Sequence, residues 1–133
     1  MEKAKLIELI QHGDEKGYLV VIEENIDVPF TIKRVFYIYG SQRDILRGNH
    51  ANRKSEFMLI NVSGTSKVRV DYGNATEIFD LNRAHVGVYI PKMVWKEMYD
   101  FSDDSVLLVL CSELYDPEEY IRDKGVYYAE VNQ

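Results

Sequence analysis

The sequence is poor in several residue types, and each shortage narrows what the chain can be. Cysteine occurs once, as Cys111 in the apolar run VLLVLC. There it reads as a small buried hydrophobe rather than a nucleophile. Basic residues are outnumbered, with 16 Lys and Arg against 22 Asp and Glu, a net charge of −6 and a pI near 5.1. That balance excludes general nucleic-acid binding, which needs a basic face. No apolar run approaches the ~20 residues that span a bilayer, so no membrane partner is expected. The N-terminal MEKAKLIELI lacks the apolar stretch and cleavage site of a signal peptide, and a cytoplasmic protein is expected. Linkers, internal repeats and low-complexity tracts are also missing, so residues 1–133 are expected to form one domain.

What is present favours strands. Hydrophobic residues make up 46% of the chain, and ten tyrosines and five phenylalanines suit strands and a pocket with aromatic walls. Short strand-like runs alternate with turn signals. AKLIELI is a candidate first strand, HGDEKG a turn and YLVVIEE a second strand. Pro29, which has no amide donor, breaks the next stretch. The clearest strand runs from Phe30 to Tyr39. Alternation there puts Ile32, Arg34, Phe36 and Ile38 on one face and Lys33, Val35, Tyr37 and Tyr39 on the other. Tyr72-Gly73-Asn74 reads as a hairpin turn. In DPEEYIRD, Asp116 precedes Pro117 as an N-cap would, and Glu119 is placed to complete a capping box, so a short terminal helix is expected. About eight to ten strands predict an all-β fold, a jelly-roll barrel.

The segment RGNHANRKSEF, Arg47 to Phe57, is similar to the first cupin motif, with His50, a second ligand position two residues on, Glu56 and a closing Gly64. The second ligand position holds Asn52. The later motif, PKMVWKEM, has Lys96 where a metal cupin carries a histidine. A cupin metal site needs imidazoles and a carboxylate converging on one ion. Asn52 and Lys96 break that set, and a cationic lysine opposes a divalent ion. Neither His12 nor His85 replaces the missing ligands by spacing. No metal and no other cofactor is expected.

Several stretches in order, YLVVIEE, VPFTIKRVFYIYG, RGNHANRK, SEFMLINVSG, VWKEMYDFS, VLLVLCSELYD and EEYIRD, resemble one family across nearly the whole chain. It is the nucleotide-sugar 3,4-ketoisomerases, the WxcM-like, metal-independent branch of the cupins. The resemblance implies a cupin-type jelly roll. It also implies a homodimer that exchanges N-terminal strands, and a dTDP-4-keto-6-deoxyglucose-like substrate whose carbonyl moves from C4 to C3. The family pattern RG-x-HAH-K has two histidines on one strand; here His50 matches the first and Asn52 replaces the second. Lys16 stands before Gly17 where the family usually has arginine. The tyrosine pair after IKRV becomes Phe36-Tyr37.

Moving the carbonyl needs a base for the C3 proton, an acid or shuttle, and a positive or hydrogen-bonding group at the enolate oxygen. His50 is the candidate base, because an imidazole both accepts and donates protons near neutral pH. Asn52 shares its strand face and can orient His50 or bind a hydroxyl, though an amide exchanges no proton. Tyr37 is the candidate acid or shuttle. Arg34 and Arg47 are candidate anchors for the diphosphate, to which planar guanidinium groups are suited. Arg53 can add to them. Lys96 can neutralise an enolate or phosphate, and Trp95 beside it completes the candidate binding set. The expected activity is isomerisation of a dTDP-linked 4-keto-6-deoxy sugar through an enediol, for cell-surface polysaccharide synthesis. The alternatives are a nucleotide-sugar-binding partner subunit of an active paralogue, and an epimerase on a similar sugar.

Overall fold

The computed structural model describes residues 1–133 as twelve strands and one helix. The strands are β1 (Lys5–Glu8), β2 (Gln11–Asp14), β3 (Gly17–Val20), β4 (Arg34–Tyr39), β5 (Arg47–Asn52), β6 (Phe57–Ser63), β7 (Ser66–Asp71), β8 (Thr76–Leu81), β9 (Val86–Ile90), β10 (Trp95–Tyr99), β11 (Val106–Cys111) and β12 (Tyr120–Ile121). Helix α1 spans Lys124–Val131. One five-stranded sheet has the order β1-β9-β6-β11-β4 and the other β12-β5-β10-β7-β8, while β2 and β3 form a separate hairpin. The all-β, jelly-roll-like fold expected from the sequence is present. It differs from a barrel in that the two sheets do not close on each other.

Burial follows the alternation of each strand. The central core lies between the sheets and contains Phe57, Leu59, Val68, Val70, Val88 and Val109. Strand β6 is buried on both faces, because Met58 and Ile60 point the other way into a second cluster with Leu9, Val28, Phe30 and Tyr89. The segment before β4 therefore covers the outer face of the first sheet. The third cluster, Ala51, Trp95, Ile121 and Tyr127, lies beneath α1 on the outer face of the second sheet. In it the Tyr127 hydroxyl lies 2.8 and 2.7 Å from the Asp71 and Met93 carbonyl oxygens, which share its single proton.

Three local expectations shift. Pairing of the long strand starts only at Arg34, since Phe30 and Ile32 pack in the second cluster instead. His12, Gly13 and Asp14 belong to strand β2 rather than to the turn. The turn tightens after Asp14, whose carboxylate accepts from Lys16 N at 2.9 Å. Asp116 does cap a turn and accepts from Glu118 N, but that turn is a 3-10 turn of three residues, Pro117–Glu119. The helix starts later, capped by Asp123. Glu119 does not complete a capping box, because its carboxylate turns inward to Ser55 and Lys54.

Candidate active site

Strand β5 carries the centre of the site, and a bulge aims it. Lys96 lies opposite His50 and Glu97 opposite Gly48, so Asn49 is left without a counterpart on β10. Gly48 and Asn49 both have left-handed backbones, with φ of 78° and 61°. A Cβ at Gly48 would lie 2.9 Å from the Lys96 carbonyl oxygen and 3.0 Å from Met98 Sδ, so only glycine lets β5 and β10 approach this closely. Beyond the bulge, Ala51 faces outward beneath α1, while His50 and Asn52 face the space between the sheets.

His50, Lys96, Phe36, Phe57, Met98 and Tyr120 line a cavity of about 40 Å³ there, together with Leu59 and Val109. The His50 and Tyr120 rings are 4.7 Å apart between centroids. Nδ1 of His50 lies 3.0 Å from the Gly48 carbonyl oxygen. A carbonyl only accepts, so this bond places the proton on Nδ1 and leaves the Nε2 lone pair free. Burial, and next the charge of Lys96, push the His50 pKa down from 6.5 to about 3. The imidazole is therefore neutral at physiological pH.

Lys96 is buried, and its Nζ donates to Asn52 Oδ1 at 2.9 Å and stands 4.1 Å from the centroid of the Phe57 ring. Burial lowers its pKa from 10.5 to about 7, against the opposing influence of Cys111 and Glu119. Nδ2 of Asn52 is buried without a hydrogen-bond partner. Glu119 is also buried, yet it is held below the usual carboxylate range. Burial alone would raise it, but hydrogen bonds from Ser55 Oγ, Ser55 N and Lys54 N prevail, at 2.5, 2.8 and 3.0 Å.

Arg34 sits beside this group. Its guanidinium lies 5.5 Å from the ring centroids of both Phe36 and Tyr115, and its Nε and one terminal nitrogen are buried without partners. Unpaired buried donors of this kind are rare and costly. Cys111, fully buried nearby, has its thiol pushed up by burial, which does not suit a nucleophile. A further depression of about 220 Å³ is lined by Lys33, Lys54, Glu113, Leu114, Tyr115, Asp116 and Glu119.

The structure thus brings His50, Asn52, Lys96 and Arg34 together. It places the other candidates elsewhere. Tyr37 is on the opposite face of β4 from Arg34 and is 62% exposed. Trp95 points away from Lys96 into the cluster under α1, with its Nε1 donating to Glu97 at 3.0 Å. Arg53 is paired with Glu130 of α1, and exposed Arg47 donates to Ser41 Oγ at 3.1 Å. Glu56 accepts from the Tyr89 hydroxyl at 2.5 Å, and no three His, Cys, Asp or Glu side chains converge as metal ligands. Two residues of the site, Glu119 and Tyr120, escaped the reading of spacing, being about seventy residues from His50. The stretch EEYIRD contained both.

Comparison with known proteins bears on the same chain. The family described as FdtA: WxcM-like, C-terminal matches residues 2–132. A TDP-4-oxo-6-deoxy-alpha-D-glucose-3,4-oxoisomerase from Aneurinibacillus thermoaerophilus is 41% identical over 131 residues, which cover 96% of this chain and 94% of that protein. One similar solved structure is a histidine-to-asparagine variant of the 3,4-ketoisomerase QdtA from Thermoanaerobacterium thermosaccharolyticum, in complex with TDP-4-keto-6-deoxyglucose. It has 41% identity and a TM-score of 0.95, covering 99% of this chain and 96% of that one. A 3,4-ketoisomerase from Helicobacter canadensis is similar at 35% identity and a TM-score of 0.95, over 100% of both chains.

Proposed function

The chain belongs to the WxcM-like, C-terminal family, and on that premise we propose that it is a nucleotide-sugar 3,4-ketoisomerase. It converts a TDP-4-keto-6-deoxy-hexose into the 3-keto sugar by proton transfer through an enediol. Relatives named for this activity, at 41% and 35% identity over nearly whole chains, support the reaction class. The observation in the site that carries the reading is His50, a neutral imidazole with a free Nε2 inside a cavity and a buried ammonium-bearing side chain opposite.

In this reading His50 Nε2 takes the C3 proton, made acidic by the C4 ketone, and returns a proton to C4. Lys96 stabilises the developing enolate oxygen with its charge, in a water-poor setting where such a charge acts strongly. Asn52 holds the Lys96 ammonium. A volume of about 40 Å³ has room for little more than a water, so the cavity takes the reacting edge of the sugar while the nucleotide lies outside. The unpaired nitrogens of Arg34 are suited to an oxygen of the substrate's diphosphate. Within one protomer Tyr37, Trp95 and Arg53 lie outside the lining of this cavity.

The enzyme acts as a homodimer. Hairpin β2–β3 stands apart from both sheets and exposes Tyr18 and Leu19, and Leu6, Ile10 and Ile26 nearby are also exposed. In the single chain β1 pairs with its own β9, from Lys5 opposite Tyr89 to Glu8 opposite Val86, so exchange of the N-terminal strand means transferring this ladder to a second copy. Light scattering of the purified protein distinguishes dimer from monomer. No helix is long and apolar enough to cross a membrane. An activated TDP-sugar substrate fits a cytoplasmic enzyme supplying sugars for polysaccharide synthesis. The test is incubation with TDP-4-keto-6-deoxyglucose followed by NMR. Appearance of a 3-keto sugar supports the proposal. An epimerised 4-keto sugar would assign an epimerase, and TDP binding without conversion would assign a binding subunit.

A further inference from the structure

Carbonyl migration moves two protons, and His50 accounts for one of them. The C3 proton must leave and a proton must arrive at C4. Separately, the C4 oxygen gains a proton as the enediol forms, and the C3 hydroxyl loses one as the new ketone appears. The net proton count is zero, so one group that gives and then takes a proton can serve both oxygens. In the family pattern a second imidazole stands two residues beyond the first, and here that position is Asn52, which exchanges no proton.

We propose that Lys96 is the oxygen-side proton shuttle of this site, working opposite His50 with Asn52 as its positioning partner. This rests on the ketoisomerase reading of the same cavity. Lys96 and His50 are directly opposed on β10 and β5, and both side chains line the cavity. Opposed residues on one face hold their Cβ atoms about 5 Å apart, which lets the two heads flank adjacent sugar carbons. The 2.9 Å bond from Nζ to Asn52 Oδ1 uses one of the three ammonium protons and fixes the head in the cavity.

The electrostatics suit the role. The charged and polar groups around Lys96 are His50 on β5, Cys111 on β11, Glu119 in the 3-10 turn and Tyr120 on β12, with Arg34 of β4 acting on Cys111. Burial leaves both the ammonium and the amine accessible near neutral pH, as a shuttle requires. The Lys96 charge is also one of the causes that keep His50 unprotonated. When Lys96 gives its proton to the C4 oxygen, that obstacle disappears, and His50 can accept the C3 proton. Positive charge thus passes from one side of the sugar to the other without a second cation appearing in the cavity. In the second half-step the neutral amine takes the C3 hydroxyl proton while His50 delivers its proton to C4.

The experiment compares the parent with Lys96→Met, Lys96→Arg and Lys96→Ala, following 3-keto sugar by NMR and TDP affinity by calorimetry. The parent's turnover is measured first and its kcat/KM is followed from pH 5.5 to 9. The shuttle predicts a decline above pH about 7, as Lys96 loses its proton. Lys96→Met and Lys96→Arg should both lose about 10²–10⁴ in kcat, with that decline abolished and TDP affinity changed less than about threefold. Arginine keeps the charge but cannot release a proton, so its failure identifies proton transfer as the lost function. Methylamine or ethylamine should restore part of the Lys96→Ala turnover, a response that a structural role for the side chain does not give. If Lys96→Arg turns over like the parent, Lys96 contributes charge alone and the proposal is overturned. It is also overturned if Lys96→Met stays within about tenfold of the parent. A parent that converts no 4-keto sugar removes the ketoisomerase reading itself, and the shuttle with it.

Discussion

Replacing Lys96 by methionine should make the protein more stable and, at the same time, inactive. The side chain is buried, and its folded pKa of about 7 compares with 10.5 when unperturbed. The difference corresponds to about 5 kcal/mol by which the fold disfavours the ammonium relative to the amine. Between pH 7 and 10.5 the unfolded chain binds a proton that the folded chain has released. Stability therefore rises with pH across that window, and the cost of Lys96 is greatest below pH 7. Methionine has similar length, carries no charge and keeps the contact with Phe57. Its introduction leaves Asn52 Oδ1 without its donor, a loss of about 1–3 kcal/mol. At pH 7.5 the net gain should be about 1–3 kcal/mol, shrinking by about 1 kcal/mol at pH 8.5, where the parent has shed somewhat less than half of its full penalty. Urea unfolding at the two pH values measures both quantities. Both lie above the window from about 3 to 6.5 in which His50 makes stability fall with falling pH. A Lys96→Met variant less stable than the parent at pH 7.5, or a gain that does not shrink at pH 8.5, would refute the account of a destabilising ammonium kept for function.

Three further outcomes follow from the geometry. Arg34→Ala should weaken TDP binding by about 1.5–3 kcal/mol in calorimetry, as expected for charged hydrogen bonds, whereas Arg53→Ala should change it little, since Arg53 is occupied by Glu130. Trp95→Ala should cost about 3–5 kcal/mol in denaturant unfolding by emptying the cluster under α1, while the pH dependence of turnover stays that of the parent. Asn52→Asp would place a carboxylate 2.9 Å from the Lys96 head, where an opposite charge favours the ammonium. The decline in kcat/KM above pH about 7 should then move to higher pH, and an unmoved profile would separate that decline from Lys96.

Much of the site was legible because strands alternate. Arg34 and Phe36 share the inner face of β4 as the pattern of that strand predicts, and the same rule sends Tyr37 outward. Trp95 and Lys96 are adjacent in sequence, so only one of them could face the cavity, and a lysine was not the obvious choice for burial. What decides it is the register with β7, which sets Lys96 opposite Val70 of the core between the sheets, while the bulge at Gly48 and Asn49 brings His50 opposite Lys96. Glu119 and Tyr120 reach the site through long-range pairing of β12 with β5. Local capping signals pointed to a helix there, and burial of the Glu119 carboxylate against Ser55 won instead.

The central claim is that His50 is the carbon base of a ketoisomerase. The most direct measurement incubates TDP-4-keto-6-deoxyglucose in deuterated water with the parent and with His50→Asn, reading both the carbonyl position and the deuterium content by NMR. The account predicts that the parent forms a 3-keto sugar whose C4 hydrogen is delivered by His50, carrying solvent deuterium only to the extent that the imidazolium proton exchanges before delivery. His50→Asn should form none and leave C3 undeuterated while still binding TDP. Conversion by His50→Asn at a rate close to that of the parent would contradict the claim.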